Sequence, residues 1–452
     1  MERSCYNDLL AWKKSKNRKP LILYGARQVG KSWLLDAFGK GEFKQTLHMN
    51  FDTDDGLGPI FGGNISPERI IAALSANYKT EINPADTLLI FDEIQASQRA
   101  KDSLKYFNEE APQYHIAAAG SFLGVASGKF PVGQVDELTL FPMSFAEFLE
   151  ASGESRMLGI LRSQDPALIS ALAARFTELL KTYMYVGGMP VAVKAYIETN
   201  DPQKVRTEQN AILNNYKNDF ANHIPAKDLP KVRMIWDSIP YHLAKEKKKF
   251  VYKEIKTGGR AAEFENAMDW LVNTALVYRV NRTTSPKLPL SSYGAPSAER
   301  ALASEGSPPV REHFKLYFLD VGLLGAKAML DISTLMLPSS SVFTEFKGAL
   351  TEQYVLQEIK ANTALPVFYW GNDSGKAEVD FIMQYKSEII PIEAKSAIST
   401  KSQSLSVYMK KYKSARAVRA SLKPFSKNGQ TYAVPLYMIG ELERILADVY
   451  TK

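Results

Sequence analysis

The first third of the chain alternates two hydrophobic rhythms. One is the short continuous apolar run: Leu21-Ile22-Leu23-Tyr24, then Thr87-Leu88-Leu89-Ile90-Phe91, then His115-Ile116-Ala117-Ala118-Ala119. Runs of this length without polar alternation suit strands covered on both faces, as in a parallel sheet. The other rhythm is the three-and-four spacing of an amphipathic helix, at 6–12, 33–38 and 67–78. Shorter strands are expected at 48–52 and 137–142. Strand and helix taken in this order predict an α/β domain on a parallel sheet. Ser144 and Glu147 then follow at the spacing of a capping box.

Beyond Asp165-Pro166, a favourable helix start, the pattern becomes helical. Leu172, Phe176, Leu179, Leu180 and Tyr183 share a stripe that breaks at Gly187-Gly188-Met189-Pro190. A helical lid or connector is expected over 166–227. Next come a helix at 229–243, a short strand at 250–252, a turn at 257–260, a helix with Phe264, Met268, Leu271 and Val272 on one face, and a strand at 275–280. That is the order of a winged-helix module, expected over 228–336 with a loop at 283–312 and a re-entering strand at 314–322. Leu337-Pro338-Ser339-Ser340-Ser341 reads as a linker. The last segment, 342–452, opens with a helix at 343–362 and continues with strands at 367–370, 378–385 and 388–395. The first segment is taken as 1–165.

The chemistry concentrates at Gly25-Ala26-Arg27-Gln28-Val29-Gly30-Lys31-Ser32, between a strand and a helix. Glycines there let backbone N–H groups turn toward phosphate oxygens, Lys31 adds charge near the terminal phosphates, and Ser32 offers a hydroxyl to Mg²⁺. ATP and Mg²⁺ are therefore the expected cofactors. Asp92 and Glu93 close the 87–91 run, where ligands of open α/β sheets bind. Asp92 is expected to hold Mg²⁺ through water and Glu93 to orient the attacking water. Ser121, at the end of the next strand, suits either a γ-phosphate contact or a plain helix cap.

Composition sharpens this only in places. The 452 residues are 45% hydrophobic and 23% charged, as in a water-soluble globular protein, and the net charge of +7 favours an anionic partner, with nucleic acid (DNA first) the candidate. Its single cysteine, Cys5, excludes internal disulfides, and five histidines argue against a histidine metal cluster. With no signal-like start and no apolar run of about 18 residues, a cytoplasmic protein without membrane contact is expected. Glu263, Glu265 and Asp269 on the second helix of the winged-helix-like stretch would repel phosphate, which argues against groove reading there. The charge pattern does not fix an oligomeric state.

Taken together, Gly-Ala-Arg-Gln-Val-Gly-Lys-Ser, Asp92-Glu93-Ile94-Gln95, Gly120-Ser121, Phe141-Pro142-Met143-Ser144-Phe145 and Gly187-Gly188-Met189-Pro190 resemble a prokaryotic family of AAA-type P-loop ATPases with an uncharacterised C-terminal domain. The resemblance spans nearly the whole chain. One departure is Gly133-Gln134, where the family often has Gly-Arg. A neutral glutamine cannot stabilise γ-phosphate charge, which bears on hydrolysis rate more than on binding. Arg99, Arg175 and Lys129 are possible substitutes.

The C-terminal order also resembles the restriction-endonuclease-like superfamily: a helical acid, Glu352, then Asp380 on one strand and Glu393-Ala394-Lys395 on the next. The resemblance implies Glu352, Asp380 and Glu393 as metal ligands and Lys395 as a catalytic residue of a Mg²⁺-dependent nuclease. A non-cleaving fold kept for binding remains the other reading. If Lys386-Ser387 form a two-residue turn, Asp380 and Glu393 face each other across the hairpin. The basic tail with Lys401, Lys410, Lys411, Lys413, Arg416, Arg419, Lys423 and Lys427 then offers a phosphate-tracking surface. Together these features point to an ATP-dependent switch controlling a nucleic-acid-engaging domain, or to a regulatory ATPase whose last domain only binds.

Overall fold

The computed structural model describes residues 1–121, 133–293, 313–332, 344–372, 374–396 and 403–450. The segment 294–312, most of the expected loop, lies outside the described residues, as do the linker at 337–341, Lys129, Phe343 and Lys401. The chain forms two compact units: Met1–Phe141 with Asn273–Leu276, and Pro142–Val272 with Val277–Lys452. This division differs from boundaries at 165, 227 and 336.

The first unit is built on β1 (Leu21–Tyr24), β2 (Gln45–Asn50), β3 (Thr87–Asp92), β4 (His115–Ala119) and β5 (Asp136–Thr139). All pair in parallel, in the order β2-β3-β4-β1-β5. Every residue of β3 and β4 is buried, as expected of uninterrupted apolar runs in a doubly covered sheet. Phe51, Phe61 and Phe91 meet edge to face in the core, with ring centroids 5.1, 5.5 and 5.6 Å apart. Two helices were not legible, Leu57–Gly62 and Gln98–Glu110. The second buries Ala100, Leu104 and Phe107 in an otherwise polar sequence, and its start is fixed by Ser97 accepting the Ala100 N–H.

The second unit carries an eight-stranded sheet in the order β12-β13-β11-β10-β9-β8-β6-β7. Its strands are β6 (Val277–Thr283), β7 (Phe314–Phe318), β8 (Val367–Gly371), β9 (Glu378–Tyr385), β10 (Glu388–Ala394), β11 (Ala417–Ser421), β12 (Ser426–Asn428) and β13 (Thr431–Pro435). The helices expected for a winged-helix module form at Leu229–Ala244 and Ala261–Asn273. The strand expected at 250–252 does not. Phe250 makes a single backbone bond to the Phe314 carbonyl, and a short helix begins at Tyr252. The strand that follows does not stay within a separate module. β6 pairs in parallel with β8 at Arg282–Tyr369 and Thr283–Trp370, and β7 pairs antiparallel with β6. One sheet thus runs through the segments assigned to two domains.

The β9–β10 hairpin has the expected register, from Glu388–Tyr385 to Ile392–Phe381. Lys386 takes φ 54°, the left-handed conformation the tight turn needs in the absence of glycine or asparagine.

Three sequence signatures of this unit turn out to serve packing. Gly187 has φ 75°, and a Cβ there would lie 2.2 Å from Asp320 Oδ1; one on Gly188 would lie 2.1 Å from the Met143 carbonyl oxygen. Asp320, fully buried, accepts the Gly188 N–H at 2.6 Å, the Leu323 N–H at 2.9 Å and the Gln357 amide at 3.2 Å. Gly188 in turn accepts the Met143 N–H at 2.7 Å. The expected capping box of Ser144 and Glu147 is formed. The Gly-Gly-Met-Pro and Phe-Pro-Met-Ser-Phe stretches are therefore one close-packed junction, where only glycine fits.

Beside that junction Glu358, 1% exposed, accepts the Phe145 N–H at 2.8 Å. Burial pushes its carboxyl up to about 8; the Phe145 N–H opposes this and Glu147 adds repulsion. Because the folded value lies above the ordinary 4.5, the native state binds this proton more tightly than the unfolded chain does. The contribution is complete below the ordinary value and is lost as pH rises toward about 8. Relative to Glu358→Gln, whose amide carbonyl still accepts from Phe145, wild type should lose stability from about pH 5 to about pH 8, by at most about 1.4 kcal/mol per pH unit. Denaturant unfolding of both proteins across that range checks this; a pH-independent difference would contradict a neutral buried acid.

Candidate functional site

The carboxyl ends of β1, β3 and β4 bring the loop 25–32, Asp92, Glu93 and Ser121 to one edge of the first sheet. Gly25 has φ 147°, and a Cβ on it would sit 2.4 Å from the Leu140 carbonyl oxygen, so a side chain there would push the loop off its seat. Gly30, with φ 95°, caps the helix Lys31–Glu42. That helix start directs unpaired N–H groups at the space the loop encloses. A further support is visible only in the fold: Arg3 donates to the Val29 carbonyl at 2.8 Å and to the Phe141 carbonyl at 2.5 Å. It ties the N-terminal segment to the back of the loop.

Lys31 is 6% exposed and donates to the carbonyls of Gly25 at 2.9 Å and Ala26 at 2.8 Å. Burial lowers its ammonium to about 8, although Glu93 and Asp92 attract it; the nearby Arg27 repels it. A buried ammonium whose hydrogen bonds go to neutral carbonyls is matched to an anionic ligand, and phosphate oxygens are the acceptors a ligand in this loop would present to it.

Asp92 is buried at the end of β3. Burial opposes its ionisation, but hydrogen bonds from His48 and Ser32 hold it below the usual carboxylate range. His48 bridges Asp36 at 2.8 Å and Asp92 at 3.2 Å. Sequence reading placed His48 on a strand and gave it no role. Its signal is only visible once β2 lies beside β3. Glu93 has φ 49°. Its carboxylate accepts the Ser121 hydroxyl at 3.1 Å, the Ser121 N–H at 3.3 Å and the Gln95 amide. Ser121 thus meets Glu93 directly. Ser32 and Asp92 together fit a Mg²⁺ site: a hydroxyl beside an ionised carboxylate, next to the loop.

The described candidates for an arginine finger are each engaged within their own unit. Arg99 donates to the Phe61 and Gly63 carbonyls, and Arg175 pairs with Glu154 at 2.5 Å and Glu178 at 3.0 Å. Gln134 is engaged by Asn108 and donates to Glu109 at 3.1 Å.

In the second unit Glu352, Asp380, Glu393 and Lys395 gather, together with lysines from other segments. Glu352 pairs with Lys248, accepts the Tyr317 hydroxyl at 2.9 Å and lies 3.6 Å from Lys315. Asp380 accepts the Ala394 N–H at 2.9 Å, and Lys395 pairs with Glu393 at 2.6 Å. Burial, with repulsion from Glu352 and Glu393, pushes the Asp380 carboxyl well above its ordinary value. Among the described residues no three His, Cys, Asp or Glu form a group arranged to hold a metal ion. Of the expected three-carboxylate ligand set, both Glu352 oxygens, Asp380 Oδ2 and Glu393 Oε1 meet ammonium, hydroxyl or N–H groups, while Glu393 Oε2 is buried without a hydrogen-bond partner. Lys248 and Lys315 come from outside the segment read as nuclease-like, which is why sequence reading missed them.

The first sheet and its loop define an AAA-type P-loop ATPase domain. In agreement, residues 17–149 match the family model described as an AAA domain. Residues 177–335 match a domain of unknown function (DUF8612), and residues 347–439 match another (DUF4143). No curated protein matches the chain in sequence. Among solved structures it is similar to the Walker-type ATPase PABY2304 of Pyrococcus abyssi, at 14% identity and TM-score 0.42, covering 72% of this chain and 95% of that one. It is also similar to the Aeropyrum pernix ORC1 protein in complex with DNA, at 13% identity and TM-score 0.29, covering 74% and 92%. The Drosophila ORC bound to DNA follows at 12% identity and TM-score 0.26, covering 72% and 86%. These three likenesses are too distant to carry an argument about function. Among the described residues no helix is long and apolar enough to cross a membrane.

Proposed function

We propose that the chain binds ATP with Mg²⁺, hydrolyses it slowly, and uses the nucleotide state to control how its C-terminal segment engages nucleic acid. The observation that carries the ATPase part is the convergence of Lys31, Ser32, Asp92, Glu93 and Ser121 at one sheet edge. Lys31 exchanges its carbonyl acceptors for phosphate oxygens. Ser32 and Asp92 would hold Mg²⁺, which would supply neutralisation of the phosphate charge. Glu93 orients the attacking water once it leaves Ser121 and Gln95. Slow turnover follows from the neutral Gln134 and from the pairing of Arg99 and Arg175 with groups of their own units.

Nucleic acid is the favoured partner because Lys410, Lys411 and Lys413 are exposed at the end of the helix Gln403–Tyr412. Arg416 and Lys427 are less available, paired with Glu388 at 2.8 Å and Asp448 at 3.0 Å. Of the two readings of the C-terminal segment, the lysines on Glu352 favour binding without cleavage. The test is fluorescence anisotropy of a labelled duplex DNA with and without ATP and Mg²⁺, alongside phosphate release. We expect an affinity that changes with nucleotide and falls with salt, its log–log slope reduced by about 2–3 in a Lys410/Lys411/Lys413→Ala variant. Absence of ATP turnover, or a DNA affinity indifferent to nucleotide, would defeat the coupling.

A further inference from the structure

Four acids and three lysines meet on one side of the second sheet. Glu378 and Asp380 share a face of β9 by strand periodicity, as do Lys315 and Tyr317 on β7, while Glu393 lies near the end of β10 and Lys395 just beyond it. Lys315 is 1% exposed, with its Nζ 2.7 Å from Glu378 Oε1 and 3.6 Å from Glu352 Oε2. Lys248 pairs with the other oxygen of Glu352. Among Lys245, Lys247, Lys248 and Lys249 it is the buried one. The basic run is therefore not simply a solvated surface, since one of its ammonium groups is driven inward onto a buried carboxylate.

Burying an ammonium is costly, and here the acids compensate it. The converse holds for the acids: Glu352, Asp380 and Glu393 repel one another without a cation among them. Two ammonium groups bring the charge of one divalent ion. Mg²⁺ demands near-octahedral oxygen ligands at about 2.0–2.1 Å, but both Glu352 oxygens and Asp380 Oδ2 are already engaged. Glu393 Oε2, buried without a hydrogen-bond partner, is one open oxygen and not a ligand set.

We infer that Lys248 and Lys315 on Glu352, with Lys395 on Glu393, supply the positive charge that a divalent cation would otherwise bring to Glu352, Asp380 and Glu393, making this cluster a metal-independent anchor of the 245–249 turn and β7 onto the helix Thr344–Asn362 and β9–β10. The anchor is independent of ATP binding, so its failure and that of the nucleotide reading are separable.

The experiment uses the full chain without nucleotide. Wild type titrated with Mn²⁺ should show no stoichiometric loss of the free-ion spin-resonance signal and no shift in melting temperature. Lys248→Met leaves Glu352 short of a cation and should lower the melting temperature by roughly 5–15 °C. Mn²⁺ should recover part of that loss. Lys248→Met combined with Glu352→Gln should recover most of it without metal, because both charges are gone. Should Lys248→Met fail to fold, the double variant against wild type carries the same comparison. Wild-type Mn²⁺ binding that is lost in Asp380→Asn, a Lys248→Met variant as stable as wild type, or a double variant no more stable than Lys248→Met overturns the inference.

Discussion

Glu93→Gln should leave ATP affinity unchanged and slow phosphate release by about 100-fold or more, the scale on which a positioned acid–base group contributes. The amide is isosteric: its carbonyl in the Oε2 position still accepts the Ser121 N–H, and its NH2 in the Oε1 position donates to the Ser121 hydroxyl, which rotates to accept, so the edge of the sheet keeps its shape. What is lost is a carboxylate able to align a water and draw on its proton. Single-turnover phosphate release at saturating ATP reports the chemical step, and calorimetry reports binding. Equal turnover in both proteins would mean that another group aligns the water. The geometry adds a second expectation. Glu93 is held by Ser121 and Gln95, so Gln95→Ala should change the hydrolysis rate while sparing ATP affinity, since Gln95 reaches Glu93 and none of the loop.

Lys31→Ala acts on the other half of the reaction. Removing a charged hydrogen bond of about 1.5–3 kcal/mol should weaken ATP by roughly 10- to 150-fold in calorimetry. The control lies in the unliganded protein. Burial already lowers the Lys31 ammonium to about 8, so the charge is a burden on the empty loop. Lys31→Met, which keeps the aliphatic volume, should therefore melt at or above the wild-type temperature without nucleotide and lose the ATP-induced rise. A variant that melts lower without nucleotide and binds ATP normally would assign Lys31 to structure instead of ligand.

Much of the first unit was legible because its determinants are contiguous. Apolar runs at β1, β3 and β4 mark strands covered on both faces, and the loop 25–32 carries its glycines, lysine and serine within eight positions. The hairpin register of β9–β10 was legible for the same reason: a two-residue turn fixes every pair that follows. The short strand at 250–252 was misread because Phe250, Val251 and Tyr252 have the right residue types, whereas Phe250 packs against His242 and Phe314, with ring centroids 4.6 and 5.4 Å apart. β-Propensity records a fit to a half-buried surface, and an aromatic cluster supplies that surface without a ladder.

By itself, then, the sequence determined the P-loop, the acids that close β3, the capping box and the hairpin, each specified by residues within a few positions of one another. Tertiary structure decided the rest. Sheet order set β2 beside β3 and so put His48 on Asp92. Packing of the N-terminal segment put Arg3 behind Val29. Pairing of β6 with β8 carried β7, and with it Lys315, to Glu378 and Glu352. Arginine, histidine and lysine at those positions look like ordinary surface residues in a one-dimensional pattern. Their roles come from carboxylates and carbonyls dozens of positions away, brought within hydrogen-bonding reach by strand pairing, and buried charge leaves little freedom in which cation meets which acid.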